Sequence, residues 1–236
     1  MRMSTFWGRW VLANALGELS GLGMAALVAW TLVASQGVQQ TLLQHILFAL
    51  AMIAIGVFEG AVVGAAQVWA LRPRLPELPW WLWVRATILG ALAAWILGML
   101  PSTIMAAGPE SPGQPSAEPS VAVQYGLAAL LGAIGGPVLA FFQWRVLRRY
   151  LARAGGWMLA NAAAWALGMP LVFLAADAAG AGASRAIQVA AAVALLIAAG
   201  AVVGAVHGLW LVRRLRQAAP PPTGAATAAL PSRLPT

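Results

Sequence analysis

Apolar residues in this chain fall into six blocks separated by short polar or proline-rich breaks, at residues 10–34, 45–71, 81–103, 121–147, 157–176 and 186–212. Each holds the roughly 20 residues that a helix rising ~1.5 Å per residue needs to cross a ~30 Å hydrocarbon core. The pattern predicts an all-α membrane protein with six transmembrane helices, forming one domain over residues 1–217. Residues 218–236 have no apolar period and many prolines, so a disordered cytoplasmic tail is expected there.

The polar breaks differ between the two sides. One side carries Arg2 and Arg9, then Arg72 and Arg74, then Arg145, Arg148, Arg149 and Arg153, then Arg213, Arg214 and Arg216; the other carries Arg185. Short basic loops are retained in the cytoplasm, which places both termini inside. The outer loops are then 35–44, 106–120 and 177–185, the second a flexible stretch rich in proline, serine and glycine. Trp7, Trp10, Trp69, Trp80, Trp81, Trp83, Trp144, Trp157 and Trp210 gather at the inner ends, where they are expected to anchor the bundle at headgroup level.

Composition strengthens this reading. The chain has 236 residues, 61% of them hydrophobic and 8% charged. A soluble domain is about 45–50% apolar and about 25% charged. The net charge of +8 does not indicate nucleic acid, because the arginines sit beside apolar blocks instead of forming a stripe on a polar domain. With no cysteine, disulfides, thiol catalysis and cysteine metal sites are excluded within the sequence. The apolar run after Arg9 outlasts a signal-peptide core and is read as a retained first helix. All basic side chains are arginine, a bias that suits a GC-rich bacterial genome; the expected location is the bacterial cytoplasmic (inner) membrane.

The odd blocks align as WVLANALG from Trp10, WVRATILG from Trp83 and WMLANAAA from Trp157. The even ones align as GAVVGAAQVWALR from Gly60, GPVLAFFQWRVLR from Gly136 and GAVVGAVHGLWLVR from Gly200. Three repeated two-helix units are expected, at about 10–72, 83–149 and 157–214. Small residues at Gly60/Gly64, Gly136/Ala140 and Gly200/Gly204 give each even helix a face that a neighbour can approach closely. In these motifs, best seen in Gly136 to Arg149 followed by Trp157 to Asn161, the chain resembles an uncharacterised group of bacterial multi-pass membrane proteins. That group repeats GxxxGxxQWxxLRR and WxxA[NT]; here Ala140 replaces the second glycine and His207 replaces a glutamine. The resemblance implies membership without an activity.

Intramembrane polar residues are costly unless paired, so they are the place to look for function. Asn14, Thr87 and Asn161 share one repeat position, and Gln67, Gln143 and His207 share another. Hydrogen bonds are expected within each unit: Asn14 with Gln67, Thr87 with Gln143, and Asn161 with His207. Glu18 and Glu59 break the repeat, their counterparts being Ala91 and Trp165, and Gly135 and Ala199. These two carboxylates are the sharper functional candidates, and a hairpin of the first two helices would bring them to each other or to a common cavity. His45 is expected at the outer interface.

No catalytic constellation or metal site is expected, and no cofactor. Ser20–Gly21 lacks the Gly-x-Ser-Gly pattern of intramembrane serine proteases. A non-catalytic scaffold or partner-binding protein is the first functional expectation. A small-solute or proton-coupled transporter using the two carboxylates is the alternative, weakened by the lack of proline-broken helices and of a polar pore-lining face. The expected partners are the bilayer itself, anionic lipid at the inner arginines and a membrane protein, with no nucleic acid.

Overall fold

The computed structural model describes residues 2–38, 41–107, 119–180, 182 and 184–218, with backbone alone at 36, 102 and 106. Its six helices are α1 (Met3–Gln36), α2 (Leu42–Leu71), α3 (Trp80–Ala107), α4 (Val121–Leu147), α5 (Gly156–Gly180) and α6 (Arg185–Ala218). All six are long and apolar enough to cross a membrane, and no strand occurs among the described residues. In hydrocarbon a lone span can satisfy its backbone N–H and C=O groups only as a helix. The expected tail after Ala218, and most of the expected 106–120 loop, lie outside the described residues.

The helices outrun the apolar blocks. α1 begins at Met3, ahead of Trp10, and α6 continues past Val212 to Ala218. Hydrophobicity marks where the bilayer is crossed, whereas backbone hydrogen bonding carries a helix on into the interface. For the same reason Asp177, expected in a loop, is helical, and its carboxylate accepts a 2.6 Å hydrogen bond from the Tyr125 hydroxyl of α4. α2 starts at a capping box, in which Thr41 Oγ1 accepts from the Gln44 amide while the Gln44 side chain accepts from the Thr41 amide. Pro101, Pro137 and Pro170 sit inside α3, α4 and α5, which continue through them.

Each helix packs on its neighbours in chain order, and α6 returns to pack on α1, which closes the bundle into a ring. The small faces lie where one helix pair meets the next. A Cβ added at Gly60 would lie 2.7 Å from Ile88 Cα, and one at Gly64 would lie 3.0 Å from Val84 Cα. Gly136 abuts the Asn161 backbone, while Gly200 and Gly204 abut Ala15 and Val11 at 2.8 and 3.1 Å. Val84 and Val11 align in the repeat, as do Ile88 and Ala15. Such contacts bring whole backbones into dispersion range, which drives helix association where lipid is as apolar as leucine.

The main apolar core lies in the half of the bundle that holds the N-terminus and the arginine-rich turns. Trp10, Trp83 and Trp157 are fully buried there with Phe6, Leu71, Leu147 and Leu211, and the inner loops tuck Leu78 and Leu151 beneath them. This corrects the expectation that the tryptophans all anchor at the headgroups. Trp69, Trp80 and Trp81 are exposed as an interfacial belt requires, but Trp10, Trp83 and Trp157 point into the bundle because each indole N–H finds a buried acceptor there.

Candidate functional site

Two polar levels stack along the bundle. At the inner one, the odd-helix side chains bond back one turn: Asn14 to the Trp10 carbonyl (2.7 Å), Thr87 to that of Trp83 (3.0 Å) and Asn161 to that of Trp157 (2.9 Å). Each tryptophan in turn donates to the even helix of another pair. Trp83 Nε1 reaches Gln67 Oε1 and Trp157 Nε1 reaches Gln143 Oε1, both at 3.0 Å, while Trp10 Nε1 reaches His207 Nδ1 at 2.9 Å. The last bond joins residues 197 apart and ties α6 back to α1. His207 stands in for glutamine because its ring also offers an acceptor at the end of a side chain.

Two of the expected within-unit bonds are present: Gln67 donates to Asn14 Oδ1 (2.8 Å), and Gln143 donates to Thr87 Oγ1 (2.9 Å). The third expectation, Asn161 with His207, is not met; Asn161 bonds its own helix and His207 takes the Trp10 indole. The ring needs an acceptor for Trp10, and His207 supplies it. Gln143 also donates to Gln67 Oε1 at 3.0 Å, tying α4 to α2. Trp157 packs edge-on or tilted against Trp10, Trp83, His207 and Trp210, with ring centroids 5.1–6.3 Å apart.

The second level lies about two helical turns, roughly 12 Å, further along α2. Here Glu59 is 6% and Glu18 is 3% exposed. Gly21 of α1 leaves room for the Glu59 stem, and Gly56 of α2 leaves room for the Trp95 ring of α3. The indole then donates to Glu59 Oε2 at 2.7 Å. Glu18 faces Gly200 of α6, and its Oε2 is buried with no partner. Gly21 lies within one turn of Glu18 on α1, so the two carboxylates occupy one level where α1 meets α2. Only Glu59 borders the adjacent cavity of about 290 Å³, so the expected shared cavity is realised on one side. Its other walls include Ala91, Trp95, Gly135, Trp165 and Phe173.

Sequence reasoning missed Trp95. The signal was available, since Trp95 breaks the repeat as Glu59 does, with Leu22 and Met169 at its aligned positions. Those two residues also line the cavity, as do Ala91 and Trp165, the counterparts of Glu18. His45 lies half-buried in the first turn of α2, and Ser20 is exposed, its hydroxyl bonded to the Leu16 carbonyl. Among the described residues no group of three or more His, Cys, Asp or Glu side chains is placed to hold a metal ion.

A third feature lies at the inner rim. The Arg9 guanidinium stacks 3.8 Å over the Trp69 ring and donates to the Trp69 carbonyl at 2.8 Å, in an open cleft that also holds Arg72 and Trp80. Compared with known proteins, the chain matches no family model, no curated protein and no solved structure.

Proposed function

We propose that this integral membrane protein is a non-catalytic scaffold or partner-binding bundle of a bacterial cytoplasmic membrane, with both ends in the cytoplasm. One observation carries the reading: in the half that holds the N-terminus, Trp-to-Gln/His bonds tie α2 to α3, α4 to α5 and α6 to α1, at junctions packed backbone to backbone at the glycines. A path for solute through that layer would have to break these buried hydrogen bonds. The recurrence of the same contacts at aligned positions supports a chain built from three copies of a helix pair, and with it kinship to the group that shares these motifs. The Arg9, Arg72, Trp69 and Trp80 cleft presents cations beside exposed indoles, a chemistry suited to an anionic lipid headgroup.

A second reading, a proton-coupled or small-solute transporter, is favoured by the cavity beside Glu59. Reconstitution separates the two. Proteoliposomes carrying an imposed proton or cation gradient should hold it as long as empty vesicles do if the bundle is a scaffold. Dissipation by the wild type that Glu59→Gln abolishes would replace that reading with the transporter.

A further inference from the structure

The Glu59 cavity combines two features that the Trp10, Trp83 and Trp157 layer lacks, open volume and a carboxylate, with aromatic side chains in its wall. A carboxylate is costly to bury in hydrocarbon unless it is protonated or has a counter-charge. No arginine pairs with Glu59 in the described residues, and its recorded partner is the neutral Trp95 indole. That bond occupies Oε2 and fixes the carboxyl at the cavity wall, while Trp95, Trp165 and Phe173 provide ring surface nearby. The site was kept open by small residues: Gly135 lines it, and a Cβ there would meet nothing within 4 Å.

These constraints select a ligand class. Calcium and similar hard metal ions take about six to eight oxygen ligands, and walls of hydrocarbon with one carboxylate do not supply them. An anion would meet the carboxylate head-on. A neutral apolar molecule would sit there only beside a protonated carboxyl and would draw nothing from its charge. An ammonium ion bearing apolar groups satisfies all the walls at once, through charge pairing with Glu59, cation–π contact with the indoles and burial of its carbon surface. It also partitions toward the bilayer, so its approach requires no polar channel. We propose that the cavity bounded by Glu59, Trp95, Gly135 and Trp165 is a binding site for a small organic ammonium ion. The site does not depend on the scaffold reading: a bundle with or without a protein partner, conducting or not, would contain it.

The test uses the purified full chain in nanodiscs of zwitterionic lipid and radiolabelled benzyltrimethylammonium as probe. Saturable binding is expected, displaced by unlabelled probe but not by neopentylbenzene, which has the same shape without the charge, nor by equal sodium or potassium. Glu59→Gln should weaken binding about tenfold or more, the loss of one favourable charge contact. Gly135→Leu, which leaves Glu59 and Trp95 in place and fills the cavity, should weaken it at least as much while the thermal melt stays unchanged. Absence of saturable binding to the wild type overturns the proposal, as do full affinity in either variant and equal displacement by the neutral isostere or by the metal ions. If Glu59→Gln fails to fold, Gly135→Leu decides the matter.

Discussion

At the level of Trp10, Trp83 and Trp157 each polar side chain holds at least one hydrogen bond, and two of the three expected bonds within the helix pairs are made. About 12 Å further along α2 the rule changes. There the repeat is broken on purpose-built space: Glu59 sits over Gly21, Trp95 lies on Gly56, Glu18 Oε2 has no partner, and a cavity remains. A repeated polar position that is fully paired behaves as part of the packing. A polar residue that occurs in one copy only, beside unfilled volume, behaves as a site. The difference between the levels is therefore a difference between stability and availability, as expected where function is located at the less satisfied part of a fold.

Trp157→Ala removes the ring that meets Trp10, Trp83, His207 and Trp210 and leaves Gln143 Oε1 without its donor. A loss of about 3–5 kcal/mol is expected in denaturant titrations of the detergent-solubilised chain. Next come two adjacent glycines. Gly136→Leu would drive a side chain into the Asn161 backbone and should cost about 1–3 kcal/mol, whereas Gly135→Leu projects into open space and should leave the melting temperature within the scatter of replicates. Equal damage from both would mean that the cavity is no more yielding than the ring.

Gln67→Leu strips partners from Trp83 Nε1, Gln143 Nε2 and Asn14 Oδ1 together. The expected destabilisation is about 1–3 kcal/mol, read from the same titrations. The smallest effect sharpens the contrast by its sign. Glu18→Met replaces a buried carboxylate that has an unpaired oxygen with an apolar side chain of similar length, and should be neutral or stabilising by up to about 1 kcal/mol. A marked loss of stability in that variant would assign Glu18 to the structural network and dissolve the distinction between the levels.

Much of the molecule was legible from residue order. Six spans follow from apolar runs long enough for hydrocarbon, and the Asn14–Gln67 and Thr87–Gln143 bonds follow from polar residues that recur in register, since hydrocarbon offers them no other partner. The helix ends were less legible, because past the bilayer face hydrophobicity no longer tracks the helix. Tryptophan was ambiguous for a related reason: its amphipathic ring suits both the headgroups and a buried acceptor, so Trp80 and Trp83 look alike along the chain although one is exposed and the other is fully buried.

Residue order is enough to establish a six-helix membrane protein and to single out Glu18 and Glu59, since insertion energy and periodicity are read residue by residue. Packing alone brings Trp10 onto His207, sets Trp95 against Glu59 and leaves a cavity beside Glu59 but not beside Glu18. Those outcomes depend on how six helix faces meet around a ring, and on volume left unfilled between them, which no single helix carries in its own pattern.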